Sequence, residues 1–248
     1  MFHYDAEIKL IGVVTTHKCN KNCKNCVDKL LNSSADILSI DNYKRFLNAF
    51  VSKYNYRPTI LLLGGEPTLV PEEILIKYSD TASELGFRII MSTNGILRDK
   101  IISLIPYYDS IQVTTTIYNI DENVEFYKKF RRNINLKLAG DETLTYDKLM
   151  YFIKKSKGYT RRSICMYFTE DFRELVTDTK IWDLLNQLEW KDSGQYSFAW
   201  YEGVRFKKCI PGKANVLLER SVPNLYPNGN YNCGWINEEM NDYLNLFN

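Results

Sequence analysis

The sequence has almost no charge excess: 32 basic residues stand against 30 acidic ones, a formal net charge of +2. That balance gives no overall case for a nucleic-acid or membrane partner. Long apolar runs are also missing, and none approaches the roughly 18–20 residues that a membrane span needs. The opening residues, MFHYDAEIKLIGVV, show no basic segment leading into an apolar one, so no secretion signal is expected. There is no repeat and no low-complexity tract. With 248 residues, 45% of them hydrophobic and 14% aromatic, the chain has ample material for a core. It is expected to form one large domain or two small ones and to be soluble and cytoplasmic.

A fourth cysteine is missing too. The stretch TTHKCNKNCKNCVDKL carries Cys19, Cys23 and Cys26 in the spacing C-x3-C-x2-C, and no other cysteine follows nearby. Six cysteines in all could pair as three disulfides, but a chain this long needs no staples, and half of its cysteines crowd one loop. Such crowding inside a cell points to metal or redox chemistry. A closed zinc site wants four ligands, and His17 could complete a Cys3His set. An iron–sulfur cubane is ordinarily held by four thiolates. Held by three, it keeps one iron open for a ligand, which has no use in plain electron transfer.

Around this loop, strand-like and helix-like segments alternate. IKLIGVVTT, TILLLGG, FRIIMSTNG, SIQVTTTIY, NINLKLAG and RRSICMYFTE read as apolar strands. The stretch SIDNYKRFLNAFVSKY repeats Tyr43, Phe46, Leu47, Phe50, Val51 and Tyr54 on one helical face, with Ser39 or Asp41 as cap. Further helices are expected from Pro71 to Leu85, over ILRDKIISLI, near 123–132, over TYDKLMYFIKK and over 179–190. The alternation implies an α/β fold with a parallel sheet covered by helices. Periodicity leaves open whether that sheet is an open one or a complete or partial barrel. The last segment, 194–248, is rich in Gly, Pro and Asn and reads as a small β-rich extension.

Two more motifs fall at C-terminal strand tips, where such folds place their sites. In LLLGGEPTL, Gly64 and Gly65 would let a ligand approach the backbone, and Glu66 could hold an ammonium group. In MSTNG, Ser92 and Asn94 offer short polar side chains. Each motif alone is an ordinary turn. Together, on consecutive βα units behind a three-cysteine loop, they argue for a site.

In these motifs the sequence resembles the radical S-adenosylmethionine enzymes, over roughly residues 8 to 190. The resemblance implies a partial (β/α)6 barrel over 1–193, with residues 194–248 as a C-terminal extension capping it. It implies one [4Fe–4S] cluster on Cys19, Cys23 and Cys26, whose open iron chelates S-adenosylmethionine. Reductive cleavage of that cofactor would yield a 5′-deoxyadenosyl radical that takes hydrogen from a substrate. An external one-electron reductant, flavodoxin- or ferredoxin-like, is implied as partner. Asn25 stands where the family usually carries an aromatic residue beside the adenine, and Thr143 stands where a fifth-strand glutamate is expected.

Period-two alternation turns Gln112, Thr114, Thr116, Asn135 and Lys137 away from the helix-facing aliphatic residues. On that basis Lys137 is expected to meet the cofactor carboxylate, and Thr114 or Thr116 the ribose. Cys165, Cys209 and Cys233 read as core or tail thiols, with a second metal site as the alternative. Trp200, Tyr201, Glu202 and Trp235 are candidates for the substrate side. Between Lys128 and Arg162 there are 11 basic and 3 acidic residues, a solvated face or a surface for an anionic substrate. The substrate class stays open among nucleotide or nucleobase, small metabolite and peptide. The alternatives are an activase that installs a glycyl radical on a partner protein, and a zinc- or iron–sulfur-stapled binding protein.

Overall fold

The computed structural model describes residues 9–23, 36–140, 142–167, 176–192, 197–209, 223–229 and 231–233. In chain order its elements are β1 (Leu10–Val14), α1 (Ile40–Lys53), β2 (Thr59–Leu63), α2 (Glu72–Glu84), β3 (Arg88–Thr93), α3 (Arg98–Leu104), β4 (Ser110–Thr115) and α4 (Ile120–Phe126). They continue as β5 (Ile134–Gly140), α5 (Tyr146–Lys155), β6 (Arg161–Tyr167), α6 (Thr179–Asn186), β7 (Lys191–Asp192), β8 (Ser197–Tyr201), β9 (Val204–Cys209), β10 (Pro223–Leu225) and β11 (Tyr231–Cys233). The expected α/β class is what these elements form. They divide into two compact units, one of residues 1–111 with 214–248, the other of residues 112–213.

In the first unit β1, β2 and β3 run parallel, with Val14 opposite Leu63 and Leu62 opposite Met91. The capping Ser39 side chain accepts the Asn42 N–H at 3.1 Å and starts α1. That helix buries Tyr43, Phe46, Leu47 and Phe50 completely. Each such side chain contributes about 1.5–3 kcal/mol on leaving water, which outweighs the helix's modest intrinsic propensity. On the far side of β1 lies β10, parallel to it, with Gly12 opposite Asn224, and β11 pairs antiparallel with β10. A side chain at position 12 would collide with that of Asn224, which is 1% exposed.

In the second unit β5 pairs parallel with β6, and β6 parallel with β9. Along β5, Ile134, Leu136 and Leu138 are buried, whereas Lys137 and Ala139 on the other face are half-buried. Along β4, Gln112 and Thr114 likewise alternate with the buried Ile111, Val113 and Thr115. The strand ends at Thr115, so Thr116 is not on it. Instead its N–H and hydroxyl both reach the Asn119 side-chain oxygen, at 2.8 and 3.1 Å. This local turn starts α4 earlier than its apolar pattern suggests. Asp121 and Glu122 then occupy the helix's positive end, and the lysines fall beyond its negative end.

The segment 194–248 contributes strands to both units. Its β8–β9 hairpin turns on Glu202 and Gly203, with φ values of 50° and 70°. Two left-handed residues between antiparallel strands make a type I′ turn, which favours Asn-Gly. The Arg162 guanidinium braces it, donating to the Glu202 carbonyl at 2.9 Å and to the Ile153 carbonyl at 2.9 Å. Replacing Glu202 by Asn is therefore expected to stabilise the protein by about 0.5–1 kcal/mol. A thermal melt at fixed pH tests this, and a lower midpoint in Glu202→Asn contradicts it.

Candidate active site at the strand tips

The C-terminal tips of β1, β2 and β3 lie side by side, and all three motifs sit on them. The start of the cysteine loop is fastened to β2's tip by backbone alone. Thr15 N–H bonds the Leu63 carbonyl at 2.9 Å, Gly65 N–H the Thr16 carbonyl at 2.8 Å, and Glu66 N–H the Lys18 carbonyl at 2.7 Å. Where the loop returns, Leu38 N–H bonds the Thr15 carbonyl at 2.9 Å. Both ends of the loop are thus tied to the end of β1.

This packing gives the two glycines a structural reason beside the expected one. In the direction a Cβ would take, each meets the loop itself. A Cβ on Gly64 would run into the Thr16 carbonyl, and one on Gly65 into the carbonyls of Lys18 and His17, the latter at 2.5 Å. Gly64 also has a φ of 127°, which disfavours any side chain. The pair lets two backbones touch.

Glu66 is 1% exposed, and its carboxylate is already supplied with protein donors. Oε1 accepts from Thr68 N–H at 3.0 Å, from the Thr68 hydroxyl at 2.6 Å and from the Thr93 hydroxyl at 2.6 Å. Oε2 accepts from Asn94 N–H at 2.7 Å. Burying a carboxylate is costly unless donors replace its water, and these four do so. Only Oε2 keeps an acceptor direction for an ammonium. Thr68 and Thr93 were not singled out from the sequence. The signal for Thr93 was its place in MSTNG, next to a residue of the opposite facing, since Ser92 lies half-buried on the other side of β3.

From β3's tip, Asn94 reaches back to the cysteine loop, donating from Nδ2 to Asn20 Oδ1 at 2.7 Å and to Cys19 Sγ at 3.9 Å. Lys21 N–H points at the same sulfur from 3.4 Å. His17 stacks on Tyr226 with ring centroids 6.3 Å apart, a contact to the C-terminal segment that sequence spacing did not announce. Cys19 and Cys23 are exposed thiols rather than half-cystines. Asn25 and Cys26 lie outside the described residues. Among the described residues no group of three metal-binding side chains occurs. Two exposed thiols on a loop anchored at both ends, one with N–H groups directed at its sulfur, fit the donor set that an iron–sulfur cluster takes.

In the second unit, Lys137 and Thr114 occupy half-buried strand positions and Thr116 a turn. Cys165 is buried, as its strand position implies. Trp200 is 57% exposed on β8. The basic stretch gathers at the turns entering β5 and β6, where Thr160 N–H bonds the Arg131 carbonyl at 3.3 Å. Part of its charge is compensated: Lys128 meets Glu125 at 3.5 Å and Lys155 meets Asp121 at 3.2 Å. The Tyr151 hydroxyl bond, and then Lys155, hold the Asp121 carboxyl below its usual range. No helix among the described residues is long and apolar enough to cross a membrane.

Against known proteins, a family model described as the Radical SAM superfamily matches residues 13–169. The chain belongs to the radical SAM superfamily. The fold is shared with solved structures of low identity. One is the native anSMEcpe with bound AdoMet, at 16% identity and a TM-score of 0.52, covering 62% of this chain and 50% of that one. Another is Streptococcus suis SuiB bound to precursor peptide SuiA, at 14% identity and a TM-score of 0.55, covering 90% of this chain and 58% of that one. The chain thus spans about half the length of these relatives. No curated protein sequence matches it.

Proposed function

We propose that this chain holds one [4Fe–4S] cluster on Cys19, Cys23 and Cys26 and uses it to cleave S-adenosylmethionine reductively. The observation that carries the reading is the single hydrogen-bonded network joining the cysteine loop, GGEP and STNG through Cys19, Asn94 and Glu66. A structural metal staple would require neither of the last two motifs. Held by these three cysteines, a cluster would supply reductive cleavage of S-adenosylmethionine, with the electron coming from an external flavodoxin- or ferredoxin-like donor and hydrogen from the substrate.

The chain's own part is to place and shield. Gly64 and Gly65 set the loop against β2. Glu66 offers the remaining Oε2 direction to the cofactor ammonium, and Ser92, on the other face of β3, is kept as a second cofactor contact. Asn25, standing where the family usually carries an aromatic residue, is assigned to the adenine, and strand alternation assigns Lys137 to the carboxylate and Thr114 or Thr116 to the ribose. Peptides are the first substrates to try, because SuiB carries one. The basic stretch makes anionic metabolites and nucleotides the second.

The test is iron, acid-labile sulfide and zinc per chain after anaerobic reconstitution. About four irons and four sulfides are expected, lost in Cys23→Ala, together with 5′-deoxyadenosine formed on reduction with S-adenosylmethionine. One zinc without sulfide overturns the reading in favour of a metal-stapled binding protein.

A further inference from the structure

We infer that Asn94 is a positioning residue for the cluster loop, and that its side-chain N–H on the Cys19 sulfur sets the cluster's reduction potential. The inference rests on the cluster assignment above and adds a role that the motif alone does not imply.

Asn94 is fixed from several sides. Its backbone N–H is held by Glu66 Oε2 at 2.7 Å, and its Oδ1 accepts Ile96 N–H at 3.1 Å. One Nδ2 hydrogen is occupied by Asn20 Oδ1 at 2.7 Å. The same Nδ2 lies 3.9 Å from Cys19 Sγ, within donor reach of the sulfur. Glu66 cannot swing away, because Thr68 and Thr93 hold its other oxygen. The chain of restraint therefore runs from a buried carboxylate through Asn94 to the first cysteine of the loop.

Lys21 N–H already faces this sulfur from the loop's own backbone, at 3.4 Å. Asn94 supplies a donor from outside the loop, and so one that a substitution can remove. A donor near a ligating sulfur stabilises the more negative, reduced state more than the oxidised one. It therefore raises the potential, as hydrogen bonds to cluster sulfurs do in general. The same amide that positions the loop makes the cluster easier to reduce. On this reading Asn94 faces the cluster ligand rather than S-adenosylmethionine.

The experiment compares full-length wild type, Asn94→Ala and Asn20→Ala, each reconstituted and assayed for iron first. The one-electron midpoint potential is then read by electron paramagnetic resonance during a mediated titration, and S-adenosylmethionine affinity by equilibrium dialysis. Asn94→Ala is expected to keep its iron and its cofactor affinity while its reduction equilibrium falls about tenfold, 59 mV for one electron. Asn20→Ala, which releases the amide but keeps its other bonds, is expected to shift in the same direction by less. A wild-type potential in an iron-replete Asn94→Ala overturns the inference. So does weakened cofactor binding at unchanged potential, which makes Asn94 a cofactor contact. Should Asn94→Ala lose iron, Asn20→Ala decides, and a wild-type potential there overturns the inference too. Wild type without iron and sulfide is a different result and refutes the cluster assignment itself.

Discussion

Replacing Glu66 by Leu is expected to destabilise the iron-free protein by on the order of 3–5 kcal/mol, the scale of stripping the shared partner from a buried hydrogen-bonded cluster. Four donors lose their acceptor: Thr68 N–H, the Thr68 and Thr93 hydroxyls and Asn94 N–H. Thr68 and Thr93 are 0% and 3% exposed, so water cannot take the carboxylate's place without repacking. At about 2–4 °C per kcal/mol for a chain of this size, Tm should fall by roughly 6–20 °C. Glu66→Gln should fall between, because an amide can still accept on one side but presents N–H to Asn94 N–H on the other. A circular-dichroism melt of the metal-free forms measures this. Equal midpoints for wild type and Glu66→Leu would show that the network carries no stability.

Gly65→Ala is expected to strip the cluster while leaving most of the fold in place. The new Cβ meets backbone carbonyls of His17 and Lys18, which cannot rotate aside as a side-chain tip would. Overpacking of this kind costs about 1–3 kcal/mol. Relieving it means breaking the Gly65–Thr16 and Glu66–Lys18 hydrogen bonds, each worth about 1 kcal/mol net. The cheapest relief is to move the loop's first residues, which carry Cys19. Iron per chain after reconstitution should drop toward that of Cys23→Ala, with the far-ultraviolet spectrum retained. Full iron binding in Gly65→Ala would mean that the loop is not seated through this contact.

Both expectations depend on contacts that the sequence shows only in part. Local patterns were readable because their causes are local. Ser39 caps α1 through a residue three positions on, and the face of Tyr43, Phe46, Leu47 and Phe50 follows from helical spacing alone. The alternation along β4 and β5 was readable for the same reason. The three motifs marked the right strand tips. What they could not convey is partner choice. The glycines of GGEP could as well have admitted a ligand as a loop, and only tertiary packing puts Lys18 there. Ser92 was singled out and Thr93 was not, yet it is Thr93 that donates to Glu66. Thr116 was taken as a strand residue because nothing in the apolar pattern reveals that Asn119 captures it. The pairing of β10 with β1 was equally hidden, since three residues far along the chain carry no periodic signal of their own.

That last pairing bears on the order in which the molecule can be completed. β1, from which the cysteine loop springs, has one neighbour in β2, about fifty residues on, and the other in β10, more than two hundred residues on. During synthesis the strand can find its first neighbour early but must wait for more than two hundred further residues before its second exists. Contacts of such sequence separation form late and slowly. Until then one edge of β1 stands bare beside the cysteine loop, with Gly12 offering no side chain to shield it. The seat of the cysteine loop therefore stays unfinished for more than two hundred residues after its own strand has been made.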